Sequence, residues 1–130
     1  MTNKKYYPTE AELEILQVLW AKGPSSVRLV NGILNETRDV GYTTTLKIMQ
    51  IMTDKGLVTR DTSSRTHIYH PAVDESVTQE SLLSNFIQKA YRGSAMRLVM
   101  QALGQQKATP EELEKLKQMI KDMDKPTSDQ

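Results

Sequence analysis

Residues 43–55 separate into a polar side and an apolar side when they are placed on a helix at about 100° per residue. The polar side consists of Thr43, Lys47, Gln50 and Asp54. The apolar side consists of Thr45, Ile48, Met49 and Met52. A helix that presents short hydrogen-bonding side chains and a lysine on one face, with an apolar back, is typical of a recognition helix that enters the major groove of DNA.

Two helix patterns precede this segment and a hairpin pattern follows it. A capping box over residues 9–12 begins the first helix, and Ser25 or Ser26 begins the second. The β-prone runs 57–61 and 66–71 flank a polar loop at residues 62–65, which predicts an antiparallel hairpin. Three helices and a hairpin of this order predict a winged helix-turn-helix. On topology alone they also fit a small α+β domain with no nucleic-acid role.

The second half of the chain shows only helix patterns. A long helix begins at Asp74 or Ser76, a short helix ends at Gly104, and a capping box over residues 109–112 begins a last helix. The apolar stripe of the last helix is narrow, and the helix is too short to be stable alone. It therefore packs back on its own chain or pairs with a second copy.

We favour pairing, because a two-fold dimer reads a palindrome and one helix reads too few base pairs to be selective. The predicted dimer interface consists of Phe86, Tyr91, Met96, Val99, Leu103, Leu113, Leu116, Ile120 and Met123. The predicted fold is therefore mainly α with a small antiparallel β wing. It comprises a winged-helix DNA-binding domain over residues 1–72 and a helical dimerisation domain over residues 73–130.

Composition narrows the functional classes. The chain has 130 residues, 38% of them hydrophobic and 25% charged, as expected of a globular protein. It has no cysteine, and we expect no secretion signal and no membrane span, so we expect a cytoplasmic protein. The net charge is only +1, with +2 in residues 1–70 and −1 in residues 71–130. Electrostatics alone therefore do not establish DNA binding.

The sequence offers no constellation for catalysis or metal binding. No phosphate-binding glycine loop, nucleophile motif or zinc motif occurs, so we predict no enzyme activity and no cofactor. His67 and His70 are the only histidines, and three positions apart on a strand they face opposite sides. We therefore predict no metal site.

The candidate DNA contacts lie on the predicted recognition helix, at the start of the second helix and on the wing. Threonine hydroxyls and arginines suit phosphates, lysine suits a phosphate or guanine, and glutamine suits adenine. Each of several candidates has an alternative to DNA contact: Thr43 as a helix cap and Tyr42 as a packing residue. Lys47 and Arg65 are alternatively solvated surface side chains, and Gln50 is alternatively too deep in the helix to reach the groove. The candidates are Ser26, Arg28, Tyr42, Thr43, Thr44, Lys47, Gln50, Arg60 and Arg65.

Four segments resemble the penicillinase repressor family of the BlaI, MecI and CopY type. They are residues 8–20 (PTEAELEILQVLW), 41–60 (GYTTTLKIMQIMTDKGLVTR), 65–73 (RTHIYHPAV) and 86–103 (FIQKAYRGSAMRLVMQAL). The resemblance implies a homodimeric bacterial transcriptional repressor on a palindromic operator in double-stranded DNA. Some members are released when a membrane metalloprotease sensor triggers repressor cleavage, which implies an indirect partner of that kind. A winged-helix adaptor that binds protein and not DNA is the alternative.

This chain departs from the family at three places. It lacks the C-terminal cysteine cluster of the copper-responsive members, which argues against copper sensing. Gln101-Ala102 stands where the antibiotic-responsive members have a cleaved Asn-Phe bond. Asn85-Phe86 does not replace it, because we interpret Phe86 as part of an apolar core face. Finally, Ile51 stands where the family often has arginine, which predicts a changed DNA contact.

Overall fold

The computed structural model describes residues 7–105 and 108–124, which divide between Leu83 and Ser84 into two compact units. The elements are α1 (Glu10–Lys22), α2 (Val27–Leu34), α3 (Tyr42–Lys55), β1 (Val58–Asp61), β2 (Ile68–Pro71), α4 (Glu75–Tyr91), α5 (Ala95–Gly104) and α6 (Pro110–Met123). This order confirms the predicted mainly helical fold with an antiparallel wing. No helix in the described ranges is long and apolar enough to cross a membrane.

Local capping chemistry sets where the helices of the first unit begin. The Thr9 hydroxyl accepts a hydrogen bond from the Glu12 N–H at 3.2 Å, and the Glu12 carboxylate accepts one from the Thr9 N–H at 2.9 Å. Of the two serines predicted to start α2, Ser26 is the N-cap, and its hydroxyl accepts from the Leu29 N–H at 3.2 Å. Both predicted helix starts are therefore satisfied by their own side chains.

The hydrophobic core of the first unit lies between α1, α2, α3 and the hairpin. The back of α3 contributes Thr45, Met49 and Met52, each fully buried, as the stripe pattern predicts. Trp20 packs against the core from α1, and its indole N–H donates to the Val73 carbonyl at 3.1 Å. The other apolar core residues are Ile15, Leu16, Val18, Leu19, Val27, Val30, Leu34, Leu57, Val58 and Tyr69.

The hairpin is shorter than predicted, and its loop is longer. Gly56 ends α3 in the left-handed conformation (φ 83°) that glycine adopts without steric cost. The paired strands begin at Val58 and Ile68, one and two residues later than predicted. Thr66 and His67 therefore belong to the loop. Within it, the Ser64 hydroxyl donates a hydrogen bond to the Thr66 carbonyl at 3.0 Å. The prediction that His67 lies on a strand is wrong.

A third chain segment pairs with the hairpin. Ser25 and Tyr69 exchange two backbone hydrogen bonds, at 3.1 Å and 2.9 Å, in an isolated antiparallel bridge. Tyr69 is fully buried, so this bridge fixes the second strand directly against the start of α2. Ser25, which the sequence offered as a possible helix cap, has this role instead.

In the second unit, several apolar side chains of the single chain are exposed to solvent. Phe86 is 53% exposed and packs edge-on against Tyr91, with ring centroids 5.9 Å apart. The interpretation of Phe86 as a core residue is therefore wrong within a single chain. The other exposed members of the predicted interface are Met96, Val99, Leu103, Leu113, Ile120 and Met123, while Tyr91 and Leu116 are half-buried.

The predicted functional boundary at residues 72/73 stays a prediction. Helix α4 begins in the first unit and ends in the second. Residues 1 and 130, the outer limits of the predicted domains, lie outside the described residues.

Candidate nucleic-acid interface

Two asparagines fix the turn that delivers α3. The Asn31 side-chain amide donates to the Val40 carbonyl at 3.0 Å and to the buried Thr45 hydroxyl at 2.9 Å. The Asn35 amide donates to the same Val40 carbonyl at 2.8 Å, and its oxygen accepts from the Val40 N–H at 3.2 Å. Side-chain amides therefore replace regular backbone pairing at this turn and set the N-terminal end of α3 against α2.

A partly buried ion pair fixes the other end of α3. The Lys55 ammonium donates to both carboxylate oxygens of Glu12, at 2.8 Å and 3.0 Å, and the Glu12 side chain is only 5% exposed. Sequence reasoning recognised Glu12 as part of the capping box but did not identify Lys55 as its partner, because they are 43 positions apart. The two anchors hold α3 at both ends.

The outward face of α3 is open to solvent. The predicted contacts Thr43, Thr44, Lys47 and Gln50 are all exposed, and so is Asp54.

The start of α3 carries no side-chain cap. Its N-cap is Gly41, which has no side chain to accept from the first turn. The alternative interpretation of Thr43 as the helix cap is therefore wrong, and Thr43 lies inside the helix with its hydroxyl not used for capping. Tyr42 is 50% exposed, so it is not packed into the core.

A cleft of about 260 Å³ adjoins this face, between the start of α2, the start of α3 and the wing loop. Four candidates from three separate segments meet in it: Ser26, Arg28, Tyr42 and Arg65. The remaining lining residues are Val27, Leu46, Thr66, His67 and Tyr69. Two guanidinium groups, a phenol and a serine therefore converge on one concave surface, which suits an anionic group.

The other candidates lie outside this cleft. Thr43, Thr44, Lys47 and Gln50 are exposed on α3 and do not line the cleft. Arg60 is exposed on β1 directly opposite Tyr69, and it does not line the cleft. The structure thus brings Ser26, Arg28, Tyr42 and Arg65 together in one cleft, and it leaves the other five candidates outside that cleft.

Electrostatics of the wing are set by a small acidic turn. The Asp61 carboxylate accepts from the Ser63 N–H at 2.9 Å, and hydrogen bonds from Ser63 lower the pKa of Asp61 below its usual value. Interactions with His70 and His67 lower the pKa further. Asp61 is therefore negatively charged at neutral pH. Among the described residues, no group of three or more His, Asp or Glu side chains is arranged to hold a metal ion.

Helices α2 and α3 form a helix-turn-helix, and an antiparallel hairpin follows them. The outer face of α3 is exposed. These features define a winged-helix protein. A family profile described as "Penicillinase repressor" matches residues 8–122. The chain belongs to the penicillinase repressor family. The family and the related proteins are transcriptional repressors, which confirms the prediction that the chain is not an enzyme.

Two relatives match along most of their length. The "Methicillin resistance regulatory protein MecI" of Mammaliicoccus sciuri is 26% identical over 120 residues, which cover 92% of this chain and 98% of the relative. The "Penicillinase repressor" of Bacillus licheniformis is 25% identical over 114 residues, which cover 88% and 89%. A solution structure of the DNA-binding domain of the repressor BlaI is 27% identical, with a TM-score of 0.49, and covers 56% of this chain and 92% of that chain.

Proposed function

We propose that this protein is a homodimeric repressor that binds a palindromic operator, with one α3 in the major groove of each half-site. The supporting observation is the surface formed by the exposed face of α3 and the adjoining cleft, within a family of transcriptional repressors. In this proposal Thr43, Thr44 and Gln50 meet base edges or the adjoining backbone, and Lys47 meets a phosphate or guanine. The cleft meets the DNA backbone through Arg28 and Arg65.

The family relationship favours this function over the alternative of a protein-binding adaptor. The adaptor hypothesis depends on the low net charge and on Ile51, which is 41% exposed on α3. An apolar side chain at that position also suits contact with a thymine methyl group in the major groove. Bulk duplex DNA separates the two hypotheses, because it competes for a repressor and leaves an adaptor–protein complex intact.

Selection of bound duplexes from a random DNA pool tests the proposal. We expect an inverted repeat whose half-sites lie about one helical turn, or a little more, apart. A pool that yields no enriched sequence, or an enriched sequence without two-fold symmetry, contradicts the proposal.

Substitution of Lys47 tests the placement of α3. If Lys47 contacts a phosphate, Lys47→Ala reduces the slope of log affinity against log salt by about one unit per protomer. Lys22→Ala, at the exposed end of α1, is the matched control and leaves the slope unchanged. An unchanged slope and affinity for Lys47→Ala would remove this side chain from the interface.

We assign dimerisation to the exposed apolar residues of the C-terminal helices. Leu113 is 40% exposed on α6, and Leu29 is 48% exposed on α2, so they form a matched pair. Sedimentation should show monomers for Leu113→Glu, because a buried charge at an apolar interface is costly. It should show unchanged dimers for Leu29→Glu. A dimer that persists in Leu113→Glu and dissociates in Leu29→Glu would refute the assignment.

Derepression in this proposal does not use the family cleavage site. Gln101 and Ala102 lie inside α5, and the Gln101 side chain accepts a hydrogen bond from the Tyr91 hydroxyl at 3.2 Å. If a membrane metalloprotease sensor is a partner, derepression therefore uses cleavage of another peptide bond or a route without cleavage. As a DNA-binding repressor the protein would work in the bacterial cytoplasm.

A further inference from the structure

His67 lies in the cleft between α2, α3 and the wing loop. It is exposed and lines the same concave surface as Arg28, Tyr42 and Arg65. A protonated imidazole carries a positive charge and donates from both ring nitrogens. A protonated His67 would therefore add a positive charge and hydrogen-bond donors to a cleft that already contains two arginines.

The charged groups around His67 determine how its protonation changes the charge of the cleft. Arg28 from α2 and Arg65 from the loop contribute two guanidinium cations to the cleft, and Tyr42 from α3 contributes a phenol. Asp61 at the end of β1 is negative, because hydrogen bonds from Ser63 stabilise its carboxylate. The second histidine, His70 on β2, also interacts with Asp61 but does not line the cleft. Protonation of His67 therefore adds a third cation to a cleft that already has two.

We propose that His67 is a further phosphate-contacting residue of this cleft. In its protonated form it joins Arg28 and Arg65 on a backbone phosphate, and duplex affinity rises as the pH falls. This inference rests on the proposed function, because it places DNA in the cleft. Histidine is the side chain whose charge ordinarily changes between pH 5 and 8, so the effect falls in an accessible range.

The sequence supplies a matched control. It contains two histidines, both in the hairpin region, and only His67 lines the cleft. His70 pairs with Thr59 in the β ladder and is half-buried. His67→Gln and His70→Gln each remove one titratable ring and retain a polar side chain. A difference between the two variants therefore reports the position of the imidazole and not the loss of a histidine.

The experiment is a fluorescence-anisotropy titration of the full chain with a labelled duplex of arbitrary sequence. Phosphate contacts are sequence-independent, so this probe reports them without knowledge of the operator. At constant ionic strength we expect the wild-type affinity to be about threefold to tenfold higher near pH 6 than near pH 8. His67→Gln should lose most of this difference, and its salt slope near pH 6 should fall by about one unit per protomer. His70→Gln should keep both.

A gain-of-charge variant guards against a folding artefact. His67→Arg carries a permanent cation, so it should bind near pH 8 about as tightly as the wild type binds near pH 6. Equal wild-type affinity at both pH values would overturn the proposal, and so would an unchanged pH dependence in His67→Gln or no gain in His67→Arg near pH 8. These outcomes are distinct from failure of the proposed function, which appears as no enriched sequence in the random-pool selection.

Discussion

The ion pair between α1 and α3 predicts a large destabilisation when its lysine is removed. Glu12 is 4% exposed, and its carboxylate accepts three hydrogen bonds, two of them from the Lys55 ammonium at 2.8 Å and 3.0 Å. Lys55→Met retains the aliphatic stem but leaves a buried carboxylate with only the Thr9 N–H, at 2.9 Å. Removing one partner of a buried pair costs about 3 kcal/mol, so we expect a loss of that size in the free energy of unfolding.

Urea denaturation followed by circular dichroism measures this loss. Protein concentration must be the same for all variants, because a dimer's apparent stability depends on it. The double variant Glu12→Gln/Lys55→Met removes the stranded charge and should recover a large part of the lost stability. Arg38→Met is the contrasting control: its partner Glu14 is also on α1, but both side chains are more than 40% exposed, and we expect little change.

Two results would refute this reasoning. If Lys55→Met unfolds at the same urea concentration as the wild type, the Glu12 carboxylate is hydrated and not buried. If the double variant is no more stable than Lys55→Met, the loss does not come from an uncompensated charge on Glu12.

Two further predictions concern the turn before α3 and the wing. Asn31→Ala removes the hydrogen bonds to the Val40 carbonyl and to the buried Thr45 hydroxyl. Urea denaturation should therefore show a loss of about 2 kcal/mol in the free energy of unfolding. A variant as stable as the wild type would contradict the role of Asn31 in fixing this turn. The Asp61 carboxyl should titrate, by NMR, below its usual pKa. Because the pKa of Asp61 is lower in the folded state, this carboxylate stabilises the fold above about pH 4. The stabilisation is lost as the pH falls through the folded-state pKa. A titration at or above the usual pKa would contradict the Ser63 hydrogen bonds.

The helices and their faces were predictable because the signals are local. The capping boxes at Thr9 and Thr109 act as predicted: each hydroxyl accepts from the backbone three residues ahead, at 3.2 Å and 3.1 Å. The apolar stripe of α3 placed Met49 and Met52 in the core, where both are fully buried. A cap and a helical period each involve residues within one or two turns, so a single sequence contains them.

The remaining features depend on contacts between distant segments. Nothing in the local pattern distinguishes Ser25, which pairs with Tyr69, from Ser26, which caps α2. The register of the hairpin, which leaves His67 in the loop, depends in the same way on tertiary pairing. Sequence reasoning therefore selected Ser26 and Arg65 one by one, but their meeting in one cleft, and the presence of His67 there, required the structure.

In the proposed repressor, the exposed face of α3 lies against base pairs in the major groove. Methylation interference on the selected duplex tests it most directly, because guanine N7 lies in that groove. We expect N7 methylation to block binding at positions related by the two-fold axis of the inverted repeat. Binding that is indifferent to methylation at every guanine N7 of the selected sequence would contradict it.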